Sequence, residues 1–167
     1  IISNRNILII EDNCESLGAE YESKQTGTWG HVGTFSMFFS HHINTMEGGM
    51  IVTNSKDIYN QSRLLRDHGM SKEKKYWHTV LGYNYRMTNL QAAIGVAQLQ
   101  KIDSIIGKKI NIAQTYKNLL KDIPGIQFPL EIPNYENVFW LFTILIDENV
   151  FGINSCDVIN ACNEKGI

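Results

Sequence analysis

Two adjacent histidines, His41 and His42, stand between an apolar stretch and a Glu-Gly-Gly turn in "FSMFFSHHINTMEGGM", residues 35–50. An imidazole beside a bound molecule is a proton shuttle near neutral pH. In an extended segment, neighbouring side chains face opposite ways, so at most one of the pair can point into a site beneath this stretch. Taken alone, either histidine is equally a structural or surface residue. A metal site needs further ligands at workable spacing, and the nearby His31 and Glu47 form no recognisable pattern.

Three other positions carry chemistry-bearing side chains. Asp12 follows the apolar run "ILII" (7–10). A carboxylate at the end of a buried strand is costly unless it is paired. It can cap a turn or helix, or it can meet a cationic ring nitrogen of a cofactor. Ser36 lies in a strand that runs toward the histidines, and its hydroxyl can serve the local backbone or donate to a phosphate. Asn84 and Arg86, in "GYNYRMTNLQAAIG" (82–95), precede a helix. They can bind an anion where helix N-terminal donors converge, or simply shape the helix entry.

The elements that must position these residues are legible in outline. "ILII" followed by Glu11-Asp12 reads as a buried parallel strand whose carboxyl end delivers an acid to a crevice. "GTFSMFF" (33–39) and "MIVT" (50–53) read as two further strands. Between the first two lies a Gly- and Thr-rich loop. A helix is expected from Asp57 to about His68, with Gly69 as its terminator. The segment "MSKEKKYWHTVLGYNYRM" has no period and reads as a functional or interface connection. Thr88 with Gln91 fits a capping box. Apolar residues Leu90, Ile94, Ala97, Ile102 and Ile105 then recur at helical spacing. Gly107 is expected to mark a bend or break before the pattern resumes at Ile112, Tyr116, Leu119 and Leu120, and Pro124-Gly125 ends it. "VFWLFTILID" (138–147) reads as a β run, and a helix is expected from about Ser155.

Composition narrows the class. Of 167 residues, 43% are apolar and 19% charged, with a net charge of −2, a profile for a soluble globular chain with no electrostatic case for nucleic acid or an anionic membrane. No apolar run approaches the roughly 20 residues needed to span a bilayer. Cys14, Cys156 and Cys162 are odd in number and widely spaced, which argues against a disulfide framework or zinc knuckle and for a reducing cytoplasm. The chain opens inside an apolar stretch, "IISNRNILIIEDN", and closes at "NEKGI". It is expected to be an internal piece of a longer protein.

Several stretches, in order, resemble the DegT/DnrJ/EryC1/StrS family of nucleotide-sugar aminotransferases: "IIEDNCESLGAEY", "TGTWGHVGTFSMFF", "TMEGGMIVTN", "RDHGM" and "LGYNYRMTNLQAAIGVAQL". The resemblance implies an α/β architecture, the three-layer large domain of fold-type I pyridoxal phosphate enzymes, with a mainly parallel sheet flanked by helices. Residues 1–125 would be the C-terminal part of that domain, and 126–167 the start of a small α+β C-terminal domain. It also implies a homodimer with active sites at the subunit boundary. By resemblance, Asp12 meets the pyridine nitrogen, Ser36 binds the cofactor phosphate, and Asn84 reaches the phosphate of the partner subunit's cofactor. The turn that cradles the phosphate, and the group that covers the ring, are expected upstream.

The chain departs from the family at one position. Its aminotransferases carry the lysine that binds the cofactor six residues before the Glu of Glu-Gly-Gly. Counting back from Glu47 gives His41, and no lysine lies between Lys24 and Lys56. A minority branch, the 3-dehydratases of 4-keto-6-deoxy sugar nucleotides, resembles this chain in having a His-Ile pair before a similar turn. That register matches His42-Ile43, so His42 is taken first as catalytic base and His41 as the alternative. The resemblance implies pyridoxamine phosphate held by contacts alone. Its amine condenses with the 4-keto sugar, a base removes a proton from the cofactor methylene, and hydroxide leaves C3. Imidazole takes a proton without recapturing the cofactor covalently. The expected role is in cytoplasmic nucleotide-sugar metabolism of the polysaccharide or O-antigen type, with glutamate as amino donor. Other stretches look closer to perosamine-type 4-aminotransferases, so 4-amination, or a catalytically silent member, stays open.

Overall fold

The structure, a computed structural model, describes residues 7–167. The first six residues of the apolar opening stretch lie outside the described residues. The strands that matter for the site are β1 (Ile10–Asp12), β2 (Glu20–Tyr21), β3 (Lys24–Gln25), β4 (Val32–Ser36) and β5 (Gly49–Val52). β1 runs parallel to β4, with Asp12 opposite Thr34, and β4 runs antiparallel to β5. The sheet β1-β4-β5 is therefore mixed rather than mainly parallel. Among the described residues β1 is paired on one side, and Leu8 and Ile10 are exposed. The expected parallel pairing is present, but the burial read from "ILII" is not supplied by these residues.

The turn between β3 and β4 is fixed by a buttress. The Glu11 carboxylate accepts the amide of Gly27 through Oε2 at 2.7 Å and the amide of Gly30 through Oε1. Gly27 has φ +86°, and a side chain at Gly33 would run into the Gly27 backbone. Two glycines thus let β4 pass directly against the turn, where any Cβ would force them apart.

Helix α1 (Lys56–Arg66) is capped by Ser55, whose hydroxyl accepts from Ile58 N. Its end follows the sequence expectation, with Gly69 at φ +66° donating back to the Leu64 carbonyl at 2.9 Å. The connection to the next helix is irregular and folds on itself through bridges Asp67–Asn84 and Met70–His78. Helix α2 (Asn89–Leu99) carries the expected capping box between Thr88 and Gln91. Such caps stabilise a helix by about 1 kcal/mol. Helix α3 (Ile102–Leu120) runs unbroken through Gly107. The expected break falls instead at Gln100 and Lys101, where Lys101 takes φ −111°, ψ 6° and the α2 periodicity stops. An isolated glycine in a helix weakens it without ending it while the backbone bonds on either side hold.

The remaining elements are β6 (Ile126–Gln127), β7 (Tyr135–Glu136), β8 (Leu145–Ile146), α4 (Glu148–Phe151) and α5 (Ser155–Glu164). β7 joins β2, and β6 pairs with β8. The apolar stretch 138–147 is not one strand, since only Leu145–Ile146 is extended in a ladder. Its side chains serve different neighbours instead of two alternating faces. Val138 lies near Gly18, Trp140 stacks on His41, and Phe142 stacks on Tyr116 at 5.5 Å between centroids. Phe139 sits between them in the left-handed region, at φ +48°. Period-2 reading fails where consecutive apolar residues are shared among partners around a turn.

The best-buried residues gather beneath the histidine loop. Ile43, Thr45 and Ala113 are fully buried, with Val138, His42, Met37 and Phe139 close behind. No helix among the described residues is long and apolar enough to cross a membrane.

Candidate functional site

Asp12 and Ser36 are set at the carboxyl ends of two neighbouring parallel strands. The ladder places Asp12 beside Thr34, and Ser36 lies two residues further along β4. Asp12 is exposed, and its Oδ1 accepts the amide of Cys14 at 3.1 Å. The Cys14 thiol also donates to this carboxylate, and with the amide it holds Asp12 below the usual carboxylate range. The same thiol is pushed up to about 11 by its bond to Asp12, by burial, and by the charges of Asp12 and Glu15, against the opposing pull of the Ser36 backbone. The place of Cys14 two residues after the strand acid is the sequence signal for this role.

The histidine loop leaves β4 directly. Ser36 Oγ accepts the amide of Phe38 at 3.2 Å, and the Phe38 carbonyl accepts that of His41 at 3.1 Å. The loop returns at Thr45, whose amide donates to Met37 O at 2.9 Å. Helix α2 then grips its far side. Gln98 accepts from Asn44 N and donates to Asn44 O, both at 2.9 Å, and Gln91 Nε2 donates to Glu47 O at 3.1 Å. Gly95 lets α2 approach closely, since a Cβ there would stand 3.0 Å from the Thr45 methyl.

The two imidazoles part company within this loop. His42 turns inward and is only 5% exposed, with Nε2 3.3 Å from the Val138 carbonyl oxygen. Burial holds its pKa below the ordinary value, the Val138 bond opposes this, and the nearby Lys109 and His41 charges add to the lowering. His41 is half-buried and stays at the margin. Its ring stacks on Trp140 at 5.4 Å and 23°, and meets Phe38 edge-on at 6.5 Å. Nδ1 of each histidine is buried without a hydrogen-bond partner. Buried polar atoms are rarely left so.

Asn84 is exposed in the connection between α1 and α2, bridged to Asp67 through the backbone. Arg86 lies 3.4 Å from Asp67. No hydrogen bond among the described residues joins Asn84 to Asp12 or Ser36. The ladder and the loop's hydrogen bonds bring Asp12, Ser36 and the histidine loop together. No cluster of three or more His, Cys, Asp or Glu among the described residues could hold a metal ion.

The model of the DegT/DnrJ/EryC1/StrS aminotransferase family matches residues 1–167, the whole chain. The chain belongs to that family. GDP-perosamine synthase of Escherichia coli O157:H7 is 41% identical over 145 residues, which make up 87% of this chain and 39% of that protein. Among solved structures, E. coli GDP-4-keto-6-deoxy-D-mannose-3-dehydratase with bound hydrated pyridoxal phosphate superposes with a TM-score of 0.89. It is 34% identical, over 99% of this chain and 46% of that one. A form of the enzyme ColD, with a histidine replaced by lysine and the serine immediately before it replaced by asparagine, gives a TM-score of 0.90. Its identity is 33%, over 99% of this chain and 47% of that one. The chain thus spans less than half the length of these relatives. Its fold is that of the fold-type I pyridoxal phosphate enzymes, and the family is one of pyridoxal-phosphate-dependent, nucleotide-sugar enzymes.

The donor set fits that cofactor. Asp12 is an ionised acid at a strand end, Ser36 a hydroxyl two residues beyond the neighbouring pair, and His41 an imidazole with a buried, unpartnered nitrogen.

Proposed function

We propose that the protein catalyses 3-dehydration of a GDP-linked 4-keto-6-deoxyhexose, with His41 as base. The observation that carries this reading is the residue that replaces the lysine. Between Lys24 and Lys56 there is none, and the position six residues before Glu47 holds an imidazole. The ColD variant described above substitutes a serine-histidine pair. Ser40-His41 is the one serine-histidine pair in this sequence. This favours His41 over His42, reversing the order drawn from the His-Ile register. The inward turn of His42 toward Val138 supports the same choice.

The cofactor, bound as pyridoxamine phosphate, supplies an amine for the sugar's keto carbon and an electron sink for loss of the C3 oxygen. This chain's residues do the rest. Asp12, kept ionised by the Cys14 thiol and amide, holds the proton on the ring nitrogen. The Ser36 hydroxyl donates to the phosphate, and Asn84 reaches the phosphate in the partner subunit of a homodimer. With the cofactor bound, the His41 imidazole would be the group that accepts a proton and returns it to the departing C3 oxygen. Imidazole cannot hold the cofactor covalently, so no lysine competes with the sugar for it. Hydrolysis of the deoxygenated product would release the nitrogen as ammonia, and glutamate would restore the cofactor's amine, leaving as 2-oxoglutarate. Free Cys14, Cys156 and Cys162 suit a reducing cytoplasm, where sugar nucleotides for polysaccharide are made.

A second reading is 4-amination, favoured by the 41% identity to a GDP-perosamine synthase. One experiment separates them. The full protein is incubated with pyridoxamine phosphate, glutamate and GDP-4-keto-6-deoxymannose, and the sugar product is weighed by mass spectrometry. Loss of oxygen supports dehydration. Gain of nitrogen with oxygen at C3 retained establishes amination in its place, and an unchanged sugar points to a silent member.

A further inference from the structure

We infer that Trp140 is a positioning residue that sets the direction of the His41 imidazole. This deepens the reading of His41 as base and rests on it. Trp140 holds the histidine in two ways. Its ring faces the imidazole at 5.4 Å and 23°, and its indole N–H donates to the Ser40 carbonyl at 2.9 Å, fixing the peptide that precedes His41. Among the described residues no hydrogen bond restrains the imidazole itself, and its Nδ1 is buried unpartnered. The stack and the clamp on Ser40 are thus what fix the ring's direction, together with the edge of Phe38.

Trp140 is in turn held from behind. Lys109 of α3 donates through Nζ to the Trp140 carbonyl at 3.1 Å. The preceding residue, Phe139, takes φ +48°, with its amide bonded to Asn137 Oδ1 at 2.8 Å. A bulky residue in that region is uncommon and persists where its surroundings over-determine it. The consequence of this kink is geometric. Val138 presents its carbonyl to His42, and Trp140, two residues on, presents its ring to His41. One short segment therefore sorts two adjacent imidazoles into different environments. The inward one is held through Nε2 by the Val138 carbonyl, and the outer one is backed by an aromatic plane.

The test uses the whole enzyme with Trp140→Leu, which keeps apolar bulk without the ring, and Trp140→Phe, which keeps a ring without the N–H. Selective histidine labelling and NMR read the His41 ring proton shifts, which an overlying indole moves upfield. Trp140→Leu is expected to abolish that upfield shift and to lower kcat by about 10- to 100-fold, with KM for the sugar and cofactor affinity within about twofold. Trp140→Phe is expected to restore the shift and most of kcat. The proposal is overturned if the His41 signals are the same in wild type and Trp140→Leu. It is equally overturned if kcat, KM and cofactor affinity decline together without rescue by Trp140→Phe. The separate variant His41→Asn tests the base assignment: if it still deoxygenates sugar while the NMR result holds, the base assignment fails and the Trp140 contact stands.

Discussion

His42 Nε2 lies 3.3 Å from the carbonyl oxygen of Val138, a contact that joins positions 96 residues apart. Burial favours the neutral ring, so the folded-state pKa is below the ordinary value of 6.5. The sign follows from proton counting. Below pH 6.5 the unfolded chain takes up a proton that the folded chain refuses, so stability falls as pH falls through this region. Above it, the contribution is fully present. Urea midpoints at pH 7.5, 6.5 and 5.5 are expected to decline, and His42→Gln, which does not titrate, should flatten that decline. An unchanged slope in the variant would mean that the inward ring is not the titrating group.

The separation of the two imidazoles makes lysine scanning decisive. His41→Lys places an amine where the family's aminotransferases have one. It is expected to capture pyridoxal phosphate as an adduct made permanent by borohydride, with deoxygenation of the sugar reduced by about 10²-fold or more. His42→Lys is expected to give no adduct and instead to unfold more easily, because a charge would be driven into the space below Val138. Intact-mass measurement after reduction reads both. An adduct on His42→Lys and none on His41→Lys would return the base to His42, as the His-Ile register suggested.

Local signals in the sequence translated well into structure. The Thr88–Gln91 capping box and the Gly69 terminator depend on residues within a turn or two of each other, whereas β4 stops at Ser36, short of the strand expected to reach Phe39. The histidines did not, because the direction of each ring is set by residues 138 and 140. Those partners lay inside a run whose hydrophobicity resembled a strand, and apolar content carries no direction when a left-handed Phe139 breaks the alternation. Gly107 misled for the opposite reason: a residue permissive in isolation is held helical by the turns around it.

The turn beneath β4 should be intolerant of small changes. Gly33→Ala would push a methyl into the Gly27 backbone, which cannot swing aside as a side chain can. A loss of about 3 kcal/mol is expected, at the upper end of what overpacking costs, because the clash is with backbone. Glu11→Gln keeps the shape but removes the charge that receives two amides, and should cost about 1–3 kcal/mol. Urea denaturation of the full protein measures both. If Gly33→Ala stays within about 0.5 kcal/mol of wild type, the close approach of strand and turn is wrong.

The link between Cys14 and Asp12 can be read without any turnover assay. With its thiol pushed up to about 11, Cys14 is almost wholly protonated at pH 8, and the thiolate is the reactive species. Iodoacetamide at that pH is expected to modify the exposed Cys156 first, with Cys14 at least about tenfold slower. Asp12→Asn replaces a charged acceptor with a neutral amide oxygen and removes a neighbouring negative charge, so it should lower the thiol pKa and speed Cys14 alkylation. Peptide mapping over a time course follows each cysteine separately. Equal rates at Cys14 and Cys156, unaltered by Asp12→Asn, would show that the thiol does not donate to the carboxylate. Asp12 would then lose the donor that most favours its ionised form.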